Sequence, residues 1–363
     1  MPSKNDYKID KKILRAIEEK AKKLTSNISL MEVCGTHTMS IQKYGIKSML
    51  PDRIKLISGP GCPVCVTSSE YIDQAIKLGK GKDIILCTFG DMVRVPGTKE
   101  TLENVRIQGQ ADVRIVYSPL DCLDIARNNP EKGIVFLAVG FETTAPVIGL
   151  AVKNAKAENL GNFYILSGLK LLFPALKELL SSNEIRINGL ICPGHVTAIT
   201  GEKSYNFIAE EYNIPCVVAG FESSDILASI DMLINQIVSG KASVENAYKR
   251  VGTIYGNSMA MEIINEVFEP SDDSWRGFGL IKNSGLKLSD EYKGFDIRKK
   301  MNIGMPQWKG TQTCKCGDVV KGVIEPSQCG LFGKTCTPDN PKGPCMVSGE
   351  GSCAAFYKFS LRN

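Results

Sequence analysis

Apolar and polar positions along this chain follow two periods that take turns. Between about residues 28 and 240, β-rich runs at 30–33, 54–58, 84–88, 113–117, 134–139, 163–166, 189–192 and 216–219 alternate with stretches of helical spacing. That alternation predicts an α/β fold with parallel sheets. Several runs, 134–139 among them, are apolar throughout, as expected of strands covered by helices on both faces. Ahead of them, Ile13, Leu14, Ile17, Ala21 and Leu24 recur at helical spacing among lysines, which predicts an amphipathic surface helix within 1–30 with a solvated lysine face. Behind them, a long apolar helix is expected over 244–268, ended by Pro270-Ser271-Asp272-Asp273-Ser274. From residue 271 the chain trades periodicity for Gly, Pro and Cys, so a loop-rich module ordered by a metal centre is expected there. Ala138-Val139-Gly140-Phe141-Glu142-Thr143-Thr144 is echoed by Val218-Ala219-Gly220-Phe221-Glu222-Ser223-Ser224. The echo suggests two related α/β lobes, divided as 31–140 and 141–270, before a cysteine-rich module at 271–363.

Length and charge narrow the class. At 363 residues the chain exceeds one comfortable core. The net charge of +5 is slight, with lysines interspersed among acids, which gives nucleic-acid binding no support. No apolar run approaches the about 18 residues of a membrane helix, and the polar start Met1-Pro2-Ser3-Lys4-Asn5-Asp6 lacks the apolar core of a signal peptide. A cytoplasmic protein acting away from membranes is expected. No G-x-x-x-x-G-K-[ST] is present, so nucleotide use would have to come through a partner.

In open parallel sheets, ligands bind beyond the carboxyl ends of the strands, and the unusual residues of this chain fall there. Cys34-Gly35-Thr36-His37-Thr38 follows the first run, Gly59-Pro60-Gly61-Cys62-Pro63-Val64-Cys65 the second, Gly140-Phe141-Glu142-Thr143-Thr144 the fifth and Cys192-Pro193-Gly194-His195 the seventh. Both histidines of the chain, His37 and His195, are in this set beside cysteines, which favours function over a structural role. Cys62 and Cys65 precede Thr67-Ser68-Ser69-Glu70, a capping box that would start a helix and lower a nearby thiol pKa. The pair is a redox couple or a two-thiolate metal grip, with a zinc half-site as the plainer alternative. Cys34, at a strand end before an expected helix, is an apt soft ligand for iron and an apt nucleophile. Cys87, Cys122 and Cys216 sit in apolar contexts and read as small core residues, while Cys192 adjoins the His195 motif. Arg94 is either a fixed cation for an anionic ligand or part of a surface turn.

The tail spacing C-x-C-x12-C-x6-C-x8-C-x7-C, from Cys314 through Cys316, Cys329, Cys336 and Cys345 to Cys353, contains no histidine and no tight C-x2-C knuckle. It favours a [4Fe-4S] cluster with two spare thiols over zinc or structural disulfides.

At these residues the chain resembles the HypD family of hydrogenase maturation proteins. The resemblance covers nearly its whole length. It is carried by Met31-Glu32-Val33-Cys34-Gly35-Thr36-His37-Thr38, Gly59-Pro60-Gly61-Cys62-Pro63-Val64-Cys65-Val66-Thr67, Phe89-Gly90-Asp91-Met92-Val93-Arg94-Val95-Pro96-Gly97, Gly140-Phe141-Glu142-Thr143-Thr144-Ala145-Pro146, Pro193-Gly194-His195-Val196 and the six-cysteine tail. Many members carry a further histidine where Met39 stands here, so that position is given no role. The resemblance implies a three-lobed assembly factor for the iron site of [NiFe]-hydrogenases. Such a protein works with a small HypC-like partner, holds an iron carrying cyanide and carbon monoxide, and receives cyanide from a HypE-like donor that bears it as a thiocyanate. In those terms Cys34 anchors the iron, with a second ligand from the HypC-like partner. Cys62 and Cys65 manage electrons or touch the iron, and His37 and His195 move protons or hydrogen-bond the cyanide nitrogens. Carried over residue by residue, Cys314, Cys329, Cys336 and Cys353 hold the cluster while Cys316 and Cys345 form a redox dithiol, an arrangement like that of ferredoxin:thioredoxin reductase. Two other function classes compete. One is a stand-alone iron-sulfur thiol-disulfide oxidoreductase, and the other a zinc-stabilised docking platform.

Overall fold

The computed structural model describes residues 4–182, 184–251, 253–304 and 314–360. Two parallel sheets organise it, and all eight β-rich runs of the sequence lie in them. Strands β1 (Ile28–Glu32), β2 (Ile54–Ser58), β7 (Gly189–Pro193), β8 (Cys216–Ala219) and β9 (Val244–Asn246) make a five-stranded sheet in the order β2-β1-β7-β8-β9. Strands β3 (Ile84–Thr88), β4 (Asp112–Ile115), β5 (Gly133–Gly140) and β6 (Phe163–Leu169) make a four-stranded sheet in the order β4-β3-β5-β6.

The sheets do not divide the chain at 140/141. The expected lobes 31–140 and 141–270 are replaced by an interleaved arrangement, because β1 pairs with β7 across the four-stranded lobe, Leu30 opposite Gly189. The chain passes to the four-stranded lobe after β2 and returns through the helix Leu172–Ser181. The echoed motifs nevertheless occupy matching places, one at the carboxyl end of β5 and the other at that of β8, each leading into a helix.

Continuous apolar strands need cover on both faces, and the helices supply it. The five-stranded sheet is covered on one face by Ile17, Ala21, Ile41, Ile226 and Ile230, from the helices Lys4–Ala21, Gly35–Lys43 and Ser223–Ser239. On its other face lie Leu172, Leu176, Tyr205 and Ile208. The N-terminal segment thus contributes a core-facing stripe, in keeping with its spacing. The four-stranded sheet is covered on one side by the helices Asp121–Asn128, Ala145–Ala157 and Ser258–Val267, and on the other by Ser69–Gly79 and Leu102–Ile107.

The expected helix over 244–268 is shorter than its apolar pattern. Val244–Asn246 is strand β9, Gly256 takes a φ of +75° that few side-chain-bearing residues adopt, and Asn257 caps the helix Ser258–Val267 by accepting from the Ala260 N–H. The segment 270–274 is part of a strand and not a break. An antiparallel hairpin of β10 (Phe268–Trp275) and β11 (Gly279–Leu288), with a register irregularity between Ser271 and Asp273, docks on the four-stranded lobe. It is fastened by a buried ion pair, Lys170 Nζ to Asp273 Oδ2 at 2.6 Å, with Lys170 Nζ also donating to Ser274 O at 3.0 Å. Trp275, fully buried, donates Nε1–H to Ser284 Oγ at 2.8 Å. The tail then consists of short helices, Cys316–Val320, Pro344–Val347 and Ser352–Ser360, joined by loops. No helix among the described residues is long and apolar enough to cross a membrane.

Candidate functional site

The carboxyl ends of β2, β1, β7 and β8, four neighbours in one sheet, carry the C-x-x-C loop, Cys34, His195 and Phe221 in that order. Cys34 is the N-cap of the helix Gly35–Lys43, with an extended backbone that turns from β1 into the helix. The turn is held from both sides. Gly35 N–H donates to Gly61 O at 3.0 Å, and Gly61 packs so tightly that a Cβ there would stand 2.1 Å from Cys34 N. Only glycine fits, which is the physical content of the Gly-Pro-Gly-Cys spelling. Beneath the turn lies Glu32, a buried carboxyl. It accepts from Cys34 N–H at 3.2 Å and from Thr38 Oγ1 at 2.5 Å, and burial pushes its pKa up to about 8.

Burial also pushes the Cys34 thiol up to about 12, with the carboxylates of Glu350 and Glu32 adding to the effect. Desolvation and neighbouring acids thus act against ionisation of this thiol. Cys34 is held in its protonated form.

Cys62 and Cys65 are joined as a disulfide across the one-turn helix Pro63–Val66, with Cys62 Sγ accepting the Cys65 N–H at 3.2 Å. The capping expected of Thr67 belongs to its neighbour. Thr67 closes the first helix, and Ser68 Oγ caps Ser69–Gly79 by accepting the Tyr71 N–H at 3.3 Å. The helix Pro63–Val66 packs against Cys316–Val320 and Pro344–Val347 of the tail. Cys62, Cys65, Cys316, Cys336, Cys345 and Cys353 share one packed cluster with Phe141 and Trp275. Residues far apart in sequence are therefore neighbours, and the tail folds over the C-x-x-C.

The two histidines meet on opposite terms. Both lie tilted against Phe221, His195 at 4.1 Å between ring centroids and His37 at 4.8 Å. His195 is exposed on the helix Gly194–Thr200. His37 is fully buried with Nε2 2.8 Å from Gly220 O. A carbonyl only accepts, so Nε2 carries the proton, and burial lowers the ring's pKa to about 4. His37 is thus a neutral prop behind Phe221, and His195 is the imidazole open to solvent. Phe221 itself was missed as a site residue, although the Gly-Phe-Glu echo marked it.

In the tail, Cys316 is the thiol most inclined to ionise, held down by hydrogen bonds from Cys314 and Cys345 and by the nearby Arg276. Cys345 lies between Cys316 and Cys353, and Cys336 feels the thiols of Cys353 and Cys329. Of the four thiols implied as ligands, Cys314 and Cys353 thus adjoin the implied dithiol Cys316 and Cys345, and Cys336 and Cys329 lie beyond Cys353. The donor set fits a [4Fe-4S] cluster in kind: five of the six thiols are buried and Cys314 is half-buried, and Lys342 N–H donates to Cys336 Sγ at 3.3 Å. Among the described residues, no group of three or more His, Cys, Asp or Glu is arranged to hold a single metal ion. A four-iron cluster makes a different demand, one thiolate at each iron.

Other candidates lie elsewhere. Cys192 contacts Cys216, and Cys87 contacts Cys122, each pair in a lobe's core; burial and the Cys216 contact raise the Cys192 thiol, and the Cys87 contact and burial raise that of Cys122. Arg94 donates to Pro338 O and stands 3.9 Å from Glu103, so it ties the tail to the four-stranded lobe instead of waiting for an anion.

A family model described as "HypD: Hydrogenase formation hypA family" matches residues 8–360. A putative hydrogenase expression/formation protein of Methanocaldococcus jannaschii is 44% identical over 355 residues, 98% of each chain. The hydrogenase maturation factor HypD of Escherichia coli is 40% identical over 363 residues, covering 98% of this chain and 97% of that one. That of Rhodobacter capsulatus is 42% identical over 338 residues, 92% of this chain and 89% of the relative.

Proposed function

We propose a function on one premise: the chain belongs to the HypD family of hydrogenase maturation factors. In this reading it is a scaffold on which the iron of a [NiFe]-hydrogenase receives cyanide and carbon monoxide. It works in complex with a HypC-like partner and takes cyanide from a HypE-like donor. The observation that supports it most is the meeting of three thiol sets, Cys34, Cys62/Cys65 and the tail, at the carboxyl ends of adjacent strands.

Each residue has a part that its surroundings favour. Iron carrying strong-field ligands suits a soft thiolate, and its arrival at Cys34 displaces the proton that burial otherwise holds there. His195, exposed at the same edge, is placed to take that proton or to donate to a cyanide nitrogen. Opening the Cys62–Cys65 disulfide consumes two electrons and two protons and leaves two thiols. Oxidation of the Cys316/Cys345 dithiol releases the same two electrons and two protons, so exchange between the pairs balances. Bound by Cys314, Cys329, Cys336 and Cys353, a [4Fe-4S] cluster would supply one-electron chemistry beside them. A stand-alone oxidoreductase is disfavoured, because Cys62 and Cys65 are 5% and 2% exposed and offer no face to a protein disulfide. A cytoplasmic setting accords with eleven free cysteines out of thirteen.

Infrared spectroscopy of the chain co-purified anaerobically with its HypC-like partner tests the scaffold role. Cyanide and carbonyl stretches are expected, and their absence from a complex loaded with iron and donor would overturn it. For the tail, Cys→Ala at any of the four ligand positions should remove iron and sulfide together. Loss of both on Cys316→Ala or Cys345→Ala, with retention in one of the four, would reverse the assignment.

A further inference from the structure

Glu350 belongs to the tail, three residues before Cys353, yet its side chain ends in the Cys34 loop. Its Oε1 accepts from Thr36 Oγ1 at 2.6 Å. Its Cβ, carbonyl and Oε2 fill the space over Gly35, where a Cβ would come within 2.7, 2.9 and 3.2 Å of them. The helix Ser352–Ser360 that follows packs along Gly35–Lys43. Gly61 presses on Cys34 from the opposite side, so the turn carrying the thiol is clamped between the C-x-x-C loop and the tail. Within the turn the bonds are to Glu32 and Thr38, and Cys34 makes no side-chain capping bond of its own, so the clamp from outside adds to what the turn supplies.

We propose that Glu350 is a positioning residue for Cys34: by gripping Thr36 and covering Gly35 it makes an ordered tail a condition for an ordered Cys34 turn. The inference rests on this packing and not on the identity of the cargo. A chain whose tail is unformed would have a loose Cys34, so the thiol is set only once the cysteine module is in place.

Hydrogen–deuterium exchange on the full-length chain tests it without iron or partner. Thr36→Val keeps the volume and the Glu350 charge but removes the hydroxyl. It should lower protection across the Cys34 turn about tenfold, the effect of losing one charge-assisted hydrogen bond. Glu350→Ala should do the same and the double variant no more than either, while Glu350→Gln, which retains Oε1 as acceptor, should restore protection. Strands β1 and β7 should keep theirs. In Thr36→Val, iodoacetamide should label Cys34 about tenfold faster with Cys353 labelled as before, since the loosening is confined to the turn. Unchanged protection in Thr36→Val would overturn the proposal, as would additive effects in the double variant, no rescue by Gln, or parallel loosening of Cys353. If Glu350→Ala fails to fold, Thr36→Val and Glu350→Gln carry the test.

Discussion

The two lobes use one motif in opposite ways. At the end of β8, Phe221 is a platform on which His195 and His37 lie, Gly220 offers its carbonyl to His37, and the Glu222 side chain is 72% exposed at the start of the helix Ser223–Ser239. At the end of β5, Phe141 stacks on Trp275 at 5.9 Å and Glu142 is buried, accepting the Leu172 N–H at 2.8 Å. The sequence is nearly shared; the neighbours are not. Strands β1 and β7 bring a cysteine and two histidines to the first edge, whereas the hairpin brings an indole to the second. In the proposed reading the first edge carries the chemistry, and the second is the wall against which the cysteine module packs.

The sharpest way to break this contrast is chemical. Cys34→Ser should abolish the cyanide and carbonyl bands of the complex while leaving tail iron intact, and Thr143→Ala on the opposite edge should leave the bands at full strength. Equal loss from both would erase the distinction between edge and wall. Next comes stability by denaturant titration. Phe141→Ala should cost about 3–5 kcal/mol, as for a buried aromatic, and the partly exposed Phe221 about 1–2 kcal/mol. A larger cost at Phe221 would make it the structural ring of the two.

A further contrast depends on pH. Burial raises the Glu142 carboxyl from 4.5 to about 7, so the folded state binds the proton more tightly than the unfolded state. The stability this provides is present at and below pH 4.5 and is lost as pH rises through about 7. Comparing wild type with Glu142→Gln, the difference should fall by roughly 3 kcal/mol across that window. Glu222→Gln, at an exposed position, should stay within about 0.5 kcal/mol at every pH. A pH-independent Glu142→Gln difference would show that the carboxyl ionises there freely.

All eight β-rich runs were legible because a strand buried on both faces must be apolar nearly throughout. Their partners were not, since such a run says nothing about which strand lies beside it; hence 31–140 was grouped although β1, with β2 at its other side, pairs with β7. The pattern over 244–268 read as one helix because apolar residues continue through β9 and a turn, while the stop signals, Gly256 and the Asn257 cap, are local and small. The placing of Cys34, Cys62, Cys65 and His195 at neighbouring strand ends was legible from their positions after the β-rich runs. The burial that raises the Cys34 thiol, and the reach of Glu350 back to Thr36, arise only when the tail folds over the first edge.

The interleaving of the sheets also sets an order of events during synthesis. The four-stranded lobe is contiguous from β3 to β6 and can close on itself as it leaves the ribosome. β1 and β2, made earlier, must wait for β7 and β8 with their apolar faces uncovered. The first strands made can pair with each other but belong to the sheet completed last, and a pause or truncation before residue 189 would leave a two-strand fragment with an open edge, the form most prone to joining another chain.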